Sequence, residues 1–311
     1  MLTLLFIGIL SLTFDIQPVK ASGTITIKAD GSIEGTTHIS TVDNVTYTFT
    51  DNIVNQSIVV ERDNIVVDGA GYTVQGTGSG KGIDLSGRSN VTIKNMEIMF
   101  QRTPLTYWDG IYLLDSYNNS ISGNHITAGD CGLKLQYSSN NTISGNSISN
   151  NGYGIYLFDS FHNMISGNNI TDNGYGMNGC GIDLVYSSNN TISGNNITHN
   201  GYGIYLYESS NNNSIYHNNF INNLEQVYSS ESTNVWDDSA GKGNYWSDYE
   251  ERYPNATEID GIWDTPYEID ADNVDRYPIV PEFPTWTSML LILIVLTVAT
   301  VICKRRLLKH Q

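Results

Sequence analysis

The chain has 311 residues, and its 32 acidic residues outnumber its 15 basic residues, which gives a formal net charge of −17 at neutral pH. This excess of negative charge argues against nucleic acid as a partner, because the phosphate backbone binds basic surfaces. It fits a protein that works outside the cell.

The first residues are typical of a secretory signal peptide. An apolar run from Leu2 to Leu12 precedes Val19-Lys20-Ala21, which has the small residue of a cleavage site. We therefore expect residues 1–21 to direct export and residues 22–55 to form a β-stranded cap at the start of the mature fold.

Residues 56–230 repeat a unit of about 22 residues. Weak copies at 56–74 and 82–98 precede five clear copies, which begin at Gly110, Gly132, Gly154, Gly181 and Gly203. Apolar residues alternate over short stretches within each copy, which predicts strands and not helices. Three short strands and three turns per copy indicate an all-β, right-handed parallel β-helix of about seven coils.

Stacked coils place equivalent residues about 4.8 Å apart, so identical residues form columns. Three inward apolar columns are predicted: Ile111, Leu133, Ile155, Ile182 and Ile204; Leu113, Leu135, Leu157, Leu184 and Leu206; and Ile121, Ile143, Ile165, Ile192 and Ile215. Asparagine accepts left-handed backbone and bonds its own chain, so we assign the repeated asparagines to the corners. Two corner columns are predicted: Asn118, Asn140, Asn189 and Asn211; and Asn124, Asn146, Asn168, Asn195 and Asn218.

Export exposes the chain to oxidation and to glycosylation. About ten N-x-Ser/Thr sequons are present, so we expect a glycoprotein. Cys131 and Cys180 each close a coil but lie two coils apart, which is roughly 10 Å and beyond the reach of a disulfide. We expect both to be free thiols.

Tyrosines form the predicted ligand-binding surface. Tyr112, Tyr156 and Tyr205 share one outward strand position, and three further tyrosines lie nearby, namely Tyr137, Tyr186 and Tyr207. A flat ring with a polar tip suits stacking on sugars and contacts with proteins. The alternative is cross-coil packing, which strands favour for tyrosine. We expect a scaffold that binds glycan or cell-envelope components and does not catalyse a reaction.

Carboxylates provide the alternative of a carbohydrate-active enzyme, a polysaccharide hydrolase or lyase. Asp115, Asp159 and Glu208 occupy equivalent positions in alternate coils, roughly 10 Å apart, at the edge of the range for an inverting glycosidase. Ordinary solvated turn acids are the other interpretation. Lys134 is the single basic residue between Arg102 and Lys242, so we expect no cationic groove for a polyuronate.

The histidines of the repeats do not predict a metal site. They occupy different positions in their coils and form no column: His125, His162, His199 and His217. A copper or zinc centre needs several such ligands together. We therefore expect no copper or zinc site in the coils.

Residues 231–281 form an acidic, aromatic segment with 13 Asp and Glu against three basic residues. Its aromatic residues predict a folded plug over the open end of the coils: Trp236, Tyr245, Trp246, Trp263 and Tyr267. Crowded carboxylates repel each other unless they share a hard cation. The segment therefore predicts weak calcium binding, and no other cofactor, around Asp260, Asp264, Asp270, Asp272 and Asp275; the alternative is an acidic surface screened by salt.

Residues 285–303 are mostly apolar and uncharged, and they are long enough to cross a bilayer. The basic residues of 304–311 follow at once, which predicts a single-pass helix with a cytoplasmic tail and an extracellular β-helix. Residues 281–284, Pro-Glu-Phe-Pro, resemble the PEF-type (PEF-CTERM) carboxy-terminal sorting signals of archaea. That resemblance implies cleavage and attachment to a lipid, as an alternative to a helical anchor.

The repeat N-x-[IF]-[ST]-x-N, with Gly-Ile-Tyr-Leu between copies, resembles the NosD-like right-handed β-helix repeats that are common in archaeal surface proteins. Two later segments, GKGNYWSDYEERYP (241–254) and DGIWDTPYEIDADNVDRYPI (260–279), are similar to the closing segment of those proteins. The resemblance covers roughly residues 23–279 and implies fold and location. By analogy with NosD it adds a further functional alternative, an accessory protein of a membrane transporter.

Overall fold

The computed structural model describes residues 23–76, 80–100, 108–127, 129–174 and 179–280. They form an all-β parallel solenoid of the right-handed type, which confirms the predicted fold class. The solenoid has about eight turns, one more than the seven predicted. The extra turn arises because Gly23–Ile27, which the sequence placed in a cap, pairs in parallel with Gln56–Val60 as the first strand of the stack.

Three sheets run along the solenoid, and each coil contributes one strand to each sheet. Sheet 1 contains Gly23–Ile27, Gln56–Val60, Gly80–Asp84, Trp108–Leu114, Cys131–Gln136, Tyr153–Phe158, Cys180–Val185, Tyr202–Tyr207 and Glu225–Ser229, with Ile33–Glu34 antiparallel at its start. Sheet 2 contains Ile39–Ser40, Thr46–Phe49, Val66–Asp68, Thr92–Lys94, Ser120–Ser122, Thr142–Ser144, Met164–Ser166, Thr191–Ser193 and Ser214–Tyr216. Sheet 3 contains Ile53–Val54, Thr73–Gln75, Glu97–Met99, His125–Thr127, Ser147–Ser149, Asn169–Thr171, Asn196–Thr198, Asn219–Ile221 and Tyr245–Trp246.

The three predicted apolar columns are confirmed. Ile155 pairs with Leu133 on one side and Ile182 on the other, and Ile143 pairs in the same way with Ile165 in sheet 2. Every member of the three columns is fully buried. Burial of apolar surface drives folding by roughly 25 cal/mol per Å², so these columns are the core of the protein.

Steric contact between coils explains why each copy begins with glycine. A Cβ atom at Gly154 would lie 2.4 Å from the carbonyl oxygen of Gly181 in the next coil, and at Gly132 it would lie 2.7 Å from the oxygen of Gly154. Each of these distances is too short for a carbon and an oxygen. The close approach of successive coils therefore requires glycine at this position of the repeat.

The asparagines divide into two kinds, and the sequence assigned one kind wrongly. Asn118, Asn140 and Asn189 are exposed and left-handed, as predicted, although Asn212 and not Asn211 continues this column. The second predicted corner column is instead a buried ladder, in which the Asn146 backbone N–H and side-chain amide both donate to Oδ1 of Asn168. The residue before each ladder asparagine adopts the left-handed conformation there, and it is glycine at Gly123, Gly145, Gly167 and Gly194 and histidine at His217.

The ladders also extend further than the sequence indicated. Two more columns share this geometry, and all of their members except the half-buried Asn223 are buried: Asn119, Asn141, Asn163, Asn190 and Asn213; and Asn151, Asn173, Asn200 and Asn223. Each side chain satisfies backbone groups of neighbouring coils that a tight corner leaves without a strand partner. Hydrogen bonds from these inward-pointing asparagine side chains thus stabilise the corners of the solenoid.

An aromatic cap closes the carboxy-terminal end of the coils. Trp246 stacks on Phe220 of the last coil and on Tyr267, with ring centroids 4.3 and 4.1 Å apart. Asp275 accepts hydrogen bonds from the Asn244 backbone N–H at 2.7 Å and the Trp246 indole at 2.9 Å. The cap elements are a short helix, Tyr249–Arg252, and two hairpins, Glu258–Ile259 with Ile262–Trp263 and Tyr267–Glu268 with Val274–Asp275.

No helix in the described part of the chain is long and apolar enough to cross a membrane. The predicted signal peptide (1–21), sorting motif (281–284), membrane helix (285–303) and basic tail (304–311) lie outside the described residues.

Candidate functional site

The outer surface of sheet 1 brings aromatic and ionisable side chains of successive coils together, and we call it the sheet 1 face. Its central column is aligned by the strand register and comprises Asp84, Tyr112, Lys134, Tyr156, Asp183, Tyr205 and Tyr228. A second outward column comprises Leu114, Gln136, Phe158, Val185 and Tyr207. The face continues into the corner that leads to sheet 2, which is occupied by Asp115, Tyr137, Asp159, Tyr186 and Glu208.

The six tyrosines predicted to bind ligand therefore lie in three different columns. Tyr112, Tyr156 and Tyr205 share the central column, as the sequence predicted, while Tyr207 lies in the second column. The remaining two, Tyr137 and Tyr186, lie in the corner. The central and second columns are in contact, because the ring centroids of Tyr205 and Tyr207 lie 6.2 Å apart.

Exposure along the central column changes from one end to the other. Tyr112 exposes only 8 % of its surface, and the ammonium of Lys81 lies 3.7 Å from its ring centre. Tyr205 is only partly buried and stacks on Tyr228 with centroids 4.6 Å apart. The end near Tyr205 therefore offers more aromatic surface to a ligand than the end near Tyr112.

The two lysines of the face are neutralised by carboxylates. Lys81 forms an ion pair with Asp84 at 2.8 Å, and Lys134 approaches Asp109 at 3.6 Å. Burial raises the pKa of Asp109, although the ammonium of Lys134 opposes this shift. Because both cations already have a counter-charge, the described residues of the face do not present the free positive groups that an acidic polysaccharide requires.

Asp183 is a buried carboxyl within this outward face. It lies between Tyr156 and Tyr205 and exposes only 6 % of its surface. Its Oδ1 atom has no hydrogen-bond partner. Burial raises the pKa of Asp183 to about 7, and a hydrogen bond with the Cys180 thiol only partly opposes that shift. This carboxyl therefore changes charge near neutral pH.

Both cysteines predicted to be free are free thiols buried beside this face, which agrees with the sequence analysis. Cys131 lies with Asp109 and Asp130 in one group whose potential ligand atoms are all within 4.8 Å of one another. Burial raises the pKa of the Cys131 thiol well above its usual value, so it is protonated at neutral pH.

The corner holds the carboxylates that the sequence proposed for catalysis. Asp115, Asp159 and Glu208 are equivalent, with left-handed φ angles of 50°, 48° and 54°. The side chain of Glu208 accepts a hydrogen bond from the Tyr186 hydroxyl at 2.6 Å. Successive acids are two strand spacings apart, roughly 10 Å. No ion pair of the described chain includes any of these three carboxylates.

Three of the five cap acids proposed for calcium accept hydrogen bonds from other groups of the cap. Asp275 bonds the cap as described above, and Asp264 accepts hydrogen bonds from the Thr257 backbone and hydroxyl. Asp270 accepts bonds from Asn273 and from the Asp272 backbone. The single metal-like group within the described ranges is the one at Cys131, so the structure does not gather three of the cap acids around one point.

Asp183 and Asp109 were missed as site residues. The repeat carries a signal for Asp183, because the outward position that holds tyrosine in the Gly110, Gly154 and Gly203 copies holds aspartate in the Gly181 copy. This change from tyrosine to aspartate between two tyrosine-bearing copies is visible in the sequence. Its burial between two rings is visible only once the register is known.

These features define a parallel β-helix protein with an aromatic and acidic surface along one sheet. The family model described as periplasmic copper-binding protein (NosD) matches residues 19–251, and the chain belongs to the NosD family. None of the curated proteins matches its sequence.

Several solved structures are similar to this chain. A mutant of the periplasmic alginate epimerase AlgG is 19 % identical, with a TM-score of 0.50, over 60 % of this chain and 48 % of its own. The DFA-IIIase of Arthrobacter chlorophenolicus A6 without its lid is 16 % identical, with a TM-score of 0.47, over 63 % and 56 %. The Azotobacter vinelandii mannuronan C-5 epimerase AlgE6 A-module is 16 % identical, with a TM-score of 0.41, over 61 % and 64 %. The chain thus spans about half the length of the first of these proteins, and the similarity shows the fold alone.

The described residues do not fit the copper that the family description names. Copper is bound by imidazole and sulfur ligands. His125 lies beside Glu97 and His217 beside Asp238, on different parts of the coils. The one three-ligand group offers a single protonated thiol and two carboxylates, and the Lys134 ammonium lies 3.6 Å from one of those. We therefore assign no role that depends on copper.

Proposed function

We propose that this protein is an exported scaffold that binds a glycan on the sheet 1 face and catalyses no reaction on it. The observation that carries the proposal is the set of aromatic rings that the central column, the second column and the corner bring into contact on one face. Tyrosine rings stack on sugar rings, and neighbouring carboxylates accept hydrogen bonds from sugar hydroxyls. The family's description as periplasmic supports a location outside the cytoplasm.

The proposal includes attachment to the cell surface. Residues 285–303 would anchor the β-helix in the membrane with residues 304–311 in the cytoplasm, as their hydropathy and charge predict. Cleavage at the Pro-Glu-Phe-Pro motif, followed by attachment to lipid, would give the same outward orientation. Mass spectrometry of the mature protein distinguishes the two, because only the first retains residues 285–311.

A panel of immobilised polysaccharides tests the binding function. We expect the full-length protein to be retained on at least one polysaccharide and to release no soluble product. Replacing Tyr156 and Tyr205 with alanine should weaken retention, because both rings lie at the centre of the face. Tyr216→Ala is the matched control, since this tyrosine lies on sheet 2. Failure of the unmodified protein to bind any polysaccharide would contradict the proposal.

A carbohydrate-active enzyme is the second candidate, and Asp183 is the observation that favours it. A carboxyl with a pKa of about 7 is suited to donate a proton at neutral pH. The enzyme hypothesis predicts that the protein releases products from a polysaccharide and that Asp183→Asn abolishes the release. The scaffold hypothesis predicts binding without products in both proteins.

A further inference from the structure

The corner between sheets 1 and 2 has unusual residues in left-handed backbone. At the other repeated corner positions of the five clear copies, left-handed backbone is held by Asn, Gly, Asp or His. Here Tyr137 and Tyr186 adopt φ angles of 50° and 51°. A bulky residue is strained in this conformation, and the fold itself would be better served by asparagine. The two tyrosines therefore need a reason other than the turn.

Both strained side chains present their rings to solvent. Tyr137 and Tyr186 each expose 45 % of their surface, although they are large aromatic residues. Each ring packs edge-on against Phe158, with centroids 5.7 and 5.8 Å apart, so that Phe158 supports both. The two tyrosines lie two coils apart along the axis, roughly 10 Å.

The charge of this corner selects among ligands. Asp159 occupies the coil between the two tyrosines, and Glu208 holds the Tyr186 hydroxyl. Within the described chain these carboxylates form no ion pair with a cation. Such a surface repels a polyuronate and accepts hydrogen bonds from uncharged hydroxyl groups.

We propose that Tyr137, Asp159, Tyr186 and Glu208 bind an uncharged, extended polysaccharide that lies parallel to the solenoid axis. One sugar stacks on each tyrosine. Asp159, in the coil between the tyrosines, and Glu208, in the coil after Tyr186, accept hydrogen bonds from the sugar hydroxyls. A pyranose unit advances an extended chain by a length similar to one strand spacing, about 5 Å, so alternate sugars meet the two rings. This assignment rests on the glycan-binding function proposed above and specifies its ligand class and contact residues.

The test separates strain from recognition by using the residue that this backbone prefers. In a Tyr137→Asn, Tyr186→Asn double variant we expect the melting temperature to stay equal or rise, because asparagine accepts the left-handed conformation. We expect the Kd for cello-oligosaccharides to rise by about tenfold or more, because two stacking contacts are lost. His162→Asn is the control. His162 is also left-handed, with a φ of 56°, and lies three residues after Asp159 in the column of Asn140 and Asn189, so this variant should bind normally.

The probes are cello-oligosaccharides and oligogalacturonates of equal length, with the full-length protein and its variants. The proposal is overturned if the double variant binds as tightly as the unmodified protein, or if the acidic oligosaccharide binds more tightly than the neutral one. Loss of binding in Tyr156→Ala, Tyr205→Ala without loss in the corner variant would leave the glycan-binding function standing and reject this corner. Absence of binding to every polysaccharide in the unmodified protein would instead reject the function itself.

Discussion

Ile182 and Asp183 are neighbours in one strand but belong to two differently organised surfaces. Ile182 points inward into a column that contains only isoleucine and leucine from Ile111 to Ile204. Asp183 points outward into a column that changes residue type in nearly every coil. The interior column is uniform because each coil must fill the same space. The outward column is free of that constraint, so its residue types vary from coil to coil.

The largest effect should come from the inward surface. Ile182→Asp would place a carboxylate between Ile155 and Ile204 without a partner, and burial of an isolated charge costs far more than a domain's margin of stability. We expect the variant to be unfolded at neutral pH by circular dichroism. A native melting curve for this variant would show that the inward register is wrong.

A smaller loss is expected for the buried asparagine ladder. The Asn168 amide donates to the Ile143 carbonyl and to Asn195 Oδ1, both at 2.9 Å, and Asn168 Oδ1 accepts the Asn146 N–H. Asn168→Ala leaves these buried groups unpaired, and we expect it to lower the free energy of unfolding by about 2–4 kcal/mol, measured by denaturant titration.

The exposed asparagine Asn140 is the control for that ladder. It contributes a left-handed turn but belongs to no ladder, so Asn140→Ala should cost about 1 kcal/mol, the strain of placing alanine in this conformation. Equal losses at Asn140 and Asn168 would contradict the division of the asparagines into two kinds.

The sequence predicted the inward columns correctly because a 22-residue period fixes which residues stack. It did not distinguish Asn140 from Asn168, since both stand beside a turn and differ only in whether the side chain points out or in. It placed Tyr112, Tyr156 and Tyr205 in one column, but the burial of Tyr112 depends on Lys81, whose position follows from the register of an earlier coil.

The contacts inside the cap are the part that the sequence does not encode. The number of carboxylates predicts a shared cation, which stays a prediction, and the structure adds that Asp275 accepts hydrogen bonds from the Trp246 indole and the Asn244 backbone. The same packing requires glycine at Gly243, because a Cβ atom there would lie 1.8 Å from the Asp275 carboxylate. Such partners depend on how the hairpins fold over the last coil, and no repeat spacing encodes that.

A small effect of opposite sign, a gain in stability, is expected at Asp183. Its pKa is raised from 3.8 to about 7 by burial, so the folded state holds this proton more tightly than the unfolded state. The resulting stability is fully present below pH 4 and is lost as the pH rises towards 7. Asp183→Asn stays neutral, and we expect it to be more stable than the unmodified protein by about 1–2 kcal/mol at pH 8, after allowance for solvent relaxation. At pH 4 the two should unfold at similar denaturant concentrations.

Asp172→Asn, at an exposed corner, is the matched control and should show no such pH-dependent gain. Parallel stability–pH curves for Asp183→Asn and the unmodified protein would show that this carboxyl is solvated, and would remove it from the buried part of the sheet 1 face.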